Sequence, residues 1–559
     1  MIASLLGSLL LCCFTCPNAQ DAGAKDAGAK WSAERLTTRA ERSRFEETSS
    51  LADVEEFLRE LSGRSELVRL QTFGDSQEGR PLHLALLSDP PVGSARELRA
   101  LGRPVVFVQA NIHAGEVEGK EAVQNLMRRL ALGDLRTLLD KVVVMIAPVY
   151  NVDGNEAVDV MNRTDQHGPI AGVGRRETSS GLDLNRDYMK LDTPEARALV
   201  NLFNEWDPHV VVDLHTTNGS YHGYHLTYSI PVNLSFAPKL LEFQRGTLMP
   251  ALERALLERH GFRSYYYGNF EGPTPKAGEV DARTWNAFDH RPRLGQNYVG
   301  LRNRIAILSE AYSYLDFERR IAVTESFVEE ILRYSASHGR EILDLTATLD
   351  REFIAAARTE AELPLGVVYE ARALPEKLPL LVGEVTQVVN PRNGKPMTAA
   401  VPDRFTAVPM LDFGHFAPTR SVPMARAYVL APDKNSAVIV AKLRQHGVLV
   451  EELTAPLSAE VTGFNVEHLS HSTRVFQAHR ETRLSGAYES KTTTLPAGTI
   501  VIRLAQPLGR LAAYLLEPES DDGLVDWNFF DTALAAGRPA PVRKLMGPAA
   551  MSTRALKNP

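Results

Sequence analysis

Three apolar runs, each leading into a polar residue, constrain this chain more than anything else in it. Pro104–Asn111 reads PVVFVQAN and leads into His113-Ala114-Gly115-Glu116. His209–Leu214 reads HVVVDL and meets His215; Arg304–Ser309 reads RIAILS and meets Glu310. Short runs this rich in Val, Ile and Leu read as strands buried on both faces, which belong to parallel sheets covered by helices. In open α/β sheets, ligands bind outside the carboxyl ends of the strands. Histidines and glutamates at those ends are therefore candidates for chemistry.

The rest of the first half fits such a fold. From about Leu67 to Arg340, strand-like runs (Leu82–Leu87, Lys141–Val149) alternate with helical patterns. Helices are expected at Val117–Leu132, at Pro194–Glu205 behind a favourable N-terminal proline, at Phe236–His260 and at Thr324–Gly339. The expectation is an α/β fold, a mixed, largely parallel sheet sandwiched by helices, followed by a C-terminal accessory domain of mixed α/β character.

A chain of 559 residues is too long for one core. Residues 1–19 read as a signal peptide: Ile2–Thr15 is apolar and too short to span a bilayer comfortably. That places the protein outside the cytoplasm, secreted or periplasmic, with lipidation at Cys16 a lesser alternative. Residues 20–50 read as a low-complexity tether (the Asp-Ala-Gly-Ala-Lys repeat of Gln20–Lys30) and the start of a charged entry helix over Trp31–Leu61. Residues 51–340 are expected to form the α/β domain that carries these strand ends, 341–379 a linker helix and proline-rich boundary, 380–536 the accessory domain, and 537–559 a loose tail. In the accessory domain, strands are expected at Leu380–Val389, Ala425–Leu430, Val448–Leu453 and Thr499–Leu504, and helices at Asn435–His446 and Pro507–Leu515.

All three cysteines, Cys12, Cys13 and Cys16, fall in the N-terminal segment, so neither a disulfide framework nor a cysteine metal site is expected. A net charge of −7 without a basic stripe argues against nucleic acid as a partner. No later run is long and apolar enough for a transmembrane helix.

A histidine and a glutamate three apart just past a strand end, His113 and Glu116, can turn toward one ion, with Gly115 allowing a sharp bend. Zinc accepts imidazole nitrogen and carboxylate oxygen, and a catalytic zinc site keeps a position for water. His215 is the candidate third ligand, and Glu310 is a carboxylate left over to act as a base. That set suits metal-assisted hydrolysis of an amide bond. Asn185-Arg186 adds a donor pair able to read a carboxylate, an arginine fork being its bidentate match. Taken singly, each piece has an ordinary alternative: polar loop residues for the histidines, and a surface salt bridge with Asp187 for Arg186.

Together these residues resemble the zinc carboxypeptidase family, the carboxypeptidase A-like metallopeptidases. The matching pieces are His113-Ala114-Gly115-Glu116, Asn151-Val152-Asp153-Gly154, Leu182-Asp183-Leu184-Asn185-Arg186, Asp213-Leu214-His215 and Leu308-Ser309-Glu310, in the family's order over about residues 51–339. The resemblance implies one zinc per chain on His113, Glu116 and His215, with Glu310 as general base and proton shuttle. It implies Asn185 and Arg186 on the substrate's terminal carboxylate. It further implies an oxyanion-facing arginine, Arg176 before Arg163 or Arg175, and a substrate-covering tyrosine, for which Tyr298 is the candidate. The chain departs from the common pattern at Asp187, at Thr216-Thr217 and at Ala311–Tyr314.

The function expected is that of an exported zinc metallocarboxypeptidase acting on peptides with a free C-terminal carboxylate. The alternatives are a zinc-dependent deacylase or amidase acting on N-acyl amino acids or cell-wall peptides and, in another class, a non-catalytic peptide-binding module. Retention of His113, Glu116, His215 and Glu310 weighs against the last.

Overall fold

The strands of the first half are β1 (Val68–Asp75), β2 (Pro81–Leu87), β3 (Val105–Ala110), β4 (Val143–Ala147), β5 (Val210–Thr217), β6 (Leu226–Ser229), β7 (Ser264–Tyr266), β8 (Asn269–Glu271), β9 (Thr284–Asn286) and β10 (Ile305–Tyr312) in this computed structural model. It describes residues 36–276, 279–359 and 363–556. The expected signal segment, its three cysteines and the Gln20–Lys30 repeat lie outside the described residues.

One sheet runs in the order β1-β2-β4-β3-β5-β10-β6-β7. The pairs β4–β3, β3–β5, β5–β10 and β6–β7 are parallel, and β1–β2, β2–β4 and β10–β6 antiparallel. This is the mixed, largely parallel sheet read from the three apolar runs. Every residue of β3, β4 and β5 is buried, which is why they show no polar alternation. Phe107 in β3 is fully buried, edge-on to Phe203 at 5.6 Å. Truncating such a ring to alanine typically costs about 3–5 kcal/mol, a large share of a domain's net stability.

The helix Glu118–Leu132 packs against the helix Phe317–Ser337, which also meets the helix Met249–His260. The helix Pro194–Trp206 starts at an N-cap, Thr193, whose side chain accepts from Ala196 N, and stops at Asp207 in the left-handed region.

The structure corrects several expected boundaries. The entry segment is two helices, Arg39–Arg42 and Leu51–Arg64, each opened by a capping box on Thr38 or Ser50. Between them Arg44 and Phe45 adopt φ of 55° and 64°, which no helix continues through. The expected Phe236–His260 helix is Pro238–Phe243, a π-turn Gln244–Leu248 and Met249–His260. Pro250 has no N–H to give an i−4 carbonyl, and the wider turn just before it absorbs the defect.

The second half continues with β11 (Pro364–Arg372), β12 (Leu378–Val389), β13 (Pro396–Met410), β14 (Asp412–Phe413), β15 (His415–Pro423) and β16 (Ala427–Leu430). The remaining strands are β17 (Glu451–Leu453), β18 (Leu457–His471), β19 (Thr482–Leu495), β20 (Ile500–Arg503), β21 (Pro539–Leu545) and β22 (Thr553–Ala555). A seven-stranded sheet runs β19-β18-β21-β16-β20-β17-β22, while β12 pairs β13 and β11 pairs β15. Two expectations fail here. The proline-rich boundary after Leu363 contains β11, which pairs with β15 through backbone groups its prolines do not supply. The segment read as a loose tail contains β21, set between β18 and β16. β12 falls on the strand expected at Leu380–Val389, but its hairpin partner β13 and the hairpin β18–β19 went unread, because much of their length is exposed on both faces and carries little hydrophobic period.

The buried apolar core is continuous across the two halves: Val211 and Phe203 belong to the same cluster as Leu365, Tyr514 and Trp527.

Candidate metal centre and substrate cavity

Three adjacent parallel strands, β3, β5 and β10, bring the candidate residues to one end of the sheet. His215 lies within β5 and Glu310 within β10, where the two are direct Cα partners. His113 and Glu116 sit in the loop between β3 and the helix Glu118–Leu132, closed by Glu116 N donating to His113 O at 2.9 Å. The left-handed residue that turns the chain out of the strand is Asn111, at φ 63°. Gly115 serves a different purpose from the one expected. A Cβ there would lie 2.7 Å from Arg163 Cδ and 2.9 Å from the Gly174 carbonyl oxygen. The glycine makes room for an arginine from another loop.

His113 Nδ1 is 3.1 Å from Glu116 Oε1, His215 Nδ1 is 3.1 Å from Glu116 Oε2, and the two Nδ1 atoms are 3.2 Å apart. One donor atom of each of the three residues falls within 4.8 Å of the others. A tetrahedral ion with metal–nitrogen distances of ~2.0–2.1 Å requires its two nitrogens to be ~3.3 Å apart. The convergence of two imidazole nitrogens and a carboxylate fits zinc on that measure. The opposite ring nitrogens fit as well. His113 Nε2 lies 3.1 Å from Asp183 Oδ1, and His215 Nε2 lies 2.9 Å from Asp213 Oδ2, the latter off hydrogen-bonding alignment. Carboxylates behind ligating histidines set the ring orientation and raise ligand basicity.

Burial alone would raise the Glu116 carboxyl, but His113 and Arg163 beside it hold it well below the usual carboxylate range. Burial pushes Glu310 up to about 8, against the pull of His215 and with the push of Glu116. Asp183 is also buried, and is nonetheless held far below its ordinary value by His113 and then Arg176.

A cavity of about 200 Å³ opens at this corner, lined by the three candidate ligands and by Arg163, Arg176, Asn185, Arg186 and Glu310. Arg176 is pinned by Asp183, with Nε at 3.2 Å and Nη2 at 3.0 Å from Oδ2, while its Nη1 points to Glu116 at 3.4 Å. Asn151 steadies the same loop by donating to Arg176 O at 3.0 Å. Arg163, held at φ 49°, donates to Glu116 Oε1 and to Thr216 O, each at 2.9 Å. Arg175 does not line the cavity; its side chain donates to Thr178 O.

Asn185 Oδ1 accepts from Gly295 N at 3.0 Å, leaving its NH2 as the remaining donor. Arg186 forms no salt bridge among the described residues; its Nη1 donates to Asn185 O at 2.7 Å, and its guanidinium lies over the Phe288 ring at 5.3 Å. The surface pair with Asp187 does not form, because Asp187 is buried against Lys190 at 2.6 Å and takes the N–H and hydroxyl of Thr193.

Tyr298 is not at the cavity. It is fully buried on the helix Gly295–Leu301, its hydroxyl shared with His446 Nδ1 at 2.9 Å and its ring beside Tyr188. That turn of the helix faces the core. The tyrosine that does line the cavity is Tyr267, just past β7, and burial raises its hydroxyl to about 12. Nothing in Ser264-Tyr265-Tyr266-Tyr267 singles it out. Asp213, by contrast, was readable: it stands two before His215, hence on the same face of β5.

The family described as zinc carboxypeptidase matches residues 54–235. Carboxypeptidase 2 of Trichophyton rubrum is 23% identical over 491 residues, covering 85% of this chain and 82% of the relative. Carboxypeptidase D of Rattus norvegicus is 34% identical over 166 residues, 25% of this chain and 12% of the relative. Among solved structures, a metallo-carboxypeptidase from Burkholderia cenocepacia is 19% identical with a TM-score of 0.39, covering 52% of this chain and 70% of that one.

Proposed function

Because this chain belongs to the zinc carboxypeptidase family, we propose that it is an exported enzyme that hydrolyses the last peptide bond of peptides bearing a free C-terminal carboxylate. The observation that carries this reading is the meeting, in one cavity, of a converging His113–Glu116–His215 donor set with Glu310 and with an arginine, Arg186, whose guanidinium hydrogen-bonds only the Asn185 carbonyl among the described residues.

One zinc per chain would be held by His113, Glu116 and His215. Zinc, when bound, polarises a carbonyl and lowers the pKa of water. Glu310, facing His215 across the β5–β10 pair, takes a proton from the attacking water and returns it to the leaving amine. Arg176, braced by Asp183, directs its remaining N–H toward the corner where negative charge develops on the carbonyl oxygen. Asn185 and Arg186 hold the terminal carboxylate and so fix which bond reaches the corner. These residues fall within 51–340, which we assign as the catalytic domain. Export rests on the apolar character of residues 1–19; among the described residues, no helix is long and apolar enough to cross a membrane.

The test is a pair of peptides differing only in a free or amidated C-terminus, incubated with zinc-loaded enzyme with and without a chelator. Release of one C-terminal residue from the free acid alone, abolished by the chelator and restored by zinc, is expected. Preferential cleavage of the amidated peptide would refute the reading in favour of an amidase.

A further inference from the structure

The wall of the cavity past Arg186 carries charges that are already matched and one amide that is not. Asp289 lines this wall. Arg291 grips it: Nε is 3.0 Å from both carboxylate oxygens, Nη2 is 2.7 Å from Oδ2, and the Arg291 backbone N–H donates to Oδ1 at 3.0 Å. Glu481, from the far half of the chain, stands 3.7 Å from Arg291 Nη1. The other two carboxylates lining the cavity, Glu116 and Glu310, sit at the metal corner. A lysine or arginine side chain entering here would bury its charge without a free counter-ion, which is strongly disfavoured.

Gln296 presents the opposite case. It lines the same cavity, is only 6% exposed, and its Oε1 is buried with no hydrogen-bond partner among the described residues. Unlike the other buried glutamine oxygens without a partner, at Gln109, Gln124, Gln244 and Gln445, that of Gln296 belongs to a residue lining this cavity, where a donor from a ligand can reach it. Leu294, Leu308 and Val232 supply apolar surface around it.

Resting on the carboxypeptidase reading above, we propose that this wall receives the side chain of the substrate's last residue and selects a neutral, hydrogen-bonding one such as glutamine. Gln296 is its polar contact, and the Asp289–Arg291 pair keeps the wall electrically neutral. Since an amide can offer either its oxygen or its NH2 to a ligand, Gln296 matches a carboxamide in both senses. The pair also implies a latent second specificity: release of Arg291 would leave Asp289 as a free carboxylate able to receive a cation.

The experiment compares kcat/KM on otherwise identical free-acid peptides ending in Gln, Leu or Lys, using zinc-loaded wild type, Gln296→Leu, Arg291→Ala and Arg291→Lys. Wild type should favour Gln over both Leu and Lys by about tenfold or more. Gln296→Leu should bring Leu level with or above Gln. Arg291→Ala should raise the Lys-to-Gln ratio about tenfold, and Arg291→Lys, which keeps a cation beside Asp289, should not. A loss of folding support alone would lower all three peptides in parallel and leave the ratios unchanged. Unchanged ratios in both Gln296→Leu and Arg291→Ala, or wild type cleaving the Lys peptide as fast as the Gln peptide, would overturn the assignment of this wall while leaving the carboxypeptidase reading intact. Failure of wild type to cleave any of the three would overturn that reading, and this inference with it.

Discussion

Arg392 holds Arg163 from 229 positions away, its guanidinium donating to the Arg163 carbonyl at 2.9 Å. The same side chain donates to Asn162 O at 2.9 Å and to Gln166 O, and Asn390 donates to Thr164 O at 2.8 Å. The turn between β12 and β13 thereby clamps the loop that carries Arg163 in its left-handed conformation. Arg163 in turn fills the space left by Gly115 and braces Glu116. The second half of the chain thus reaches the candidate metal centre through this loop, as it does through Gln477, which accepts from the N–H of Asp183 at 2.8 Å.

Arg392→Ala takes a donor from three backbone carbonyls, of which Arg163 O keeps the Gln166 N–H, and lets Arg163 relax. Leaving a buried acceptor unpaired costs roughly 1–3 kcal/mol. We expect a lower melting temperature and a fall of about tenfold in kcat/KM, with Arg392→Lys recovering part of each. Unchanged kinetics in a folded Arg392→Ala would show that the clamp does not bear on the site.

His215→Ala removes one of three converging donors, and zinc content measured by metal analysis should drop from about one per chain to a small fraction of that. Glu310→Gln should keep both zinc and fold but lower kcat by about 10²–10⁴-fold, because a neutral amide cannot accept a proton. Glu310→Gln within a few-fold of wild type would remove it as the base.

Arg186→Ala should weaken kcat/KM for free-acid peptides by roughly ten- to a hundredfold, the worth of a charge-assisted fork at about 1.5–3 kcal/mol. The amidated peptide, with no carboxylate to lose, should barely change. An equal loss on both would mean that Arg186 supports the fold and does not read the C-terminus.

Acid should destabilise the fold before its carboxylates protonate. Burial holds the imidazoles of His222 and His446 down to about 3, from an ordinary value near 6.5. His446 is bonded as a neutral ring between Tyr298 and Met189, and His222 stacks on Tyr312 at 4.2 Å. The unfolded chain takes up these protons below about pH 6.5 and the folded one does not, so stability is full above that pH and falls as the pH drops toward 3. At pH 5 each site should have cost about 2 kcal/mol. Denaturant titrations from pH 7.5 to 4.5 should show this decline, and His446→Gln should make it shallower.

Much of the first half was legible because its signals are local. β3, β4 and β5 announce themselves by burial on both faces, the His113–Glu116 pair by one tight loop, and Asp213 with His215 by strand alternation. The order β4-β3-β5-β10 was not legible, since chain order alone would have set β4 between β3 and β5; the folded sheet is what places Glu310 beside His215. Tyr298 failed for the converse reason. Its helix is buried all round, so no period marks which side faces the cavity, and packing turned it to His446.

Local patterning in the sequence marks the buried strands, the His113–Glu116 loop and the adjacent Asn185–Arg186 pair, each of which depends on residues within a few positions of one another, while the joining of His215 and Glu310 to them was expected only from their strand-end positions and the resemblance. The approach of Arg163 to Gly115, its anchoring by Arg392, the pairing of Arg291 with Asp289 and the place of β21 inside a sheet arise only in the folded chain. Those relationships join residues that meet only after the chain has collapsed around a shared core. They are settled by close packing and by the need to pair every buried polar group, conditions that a linear pattern of residue types does not encode.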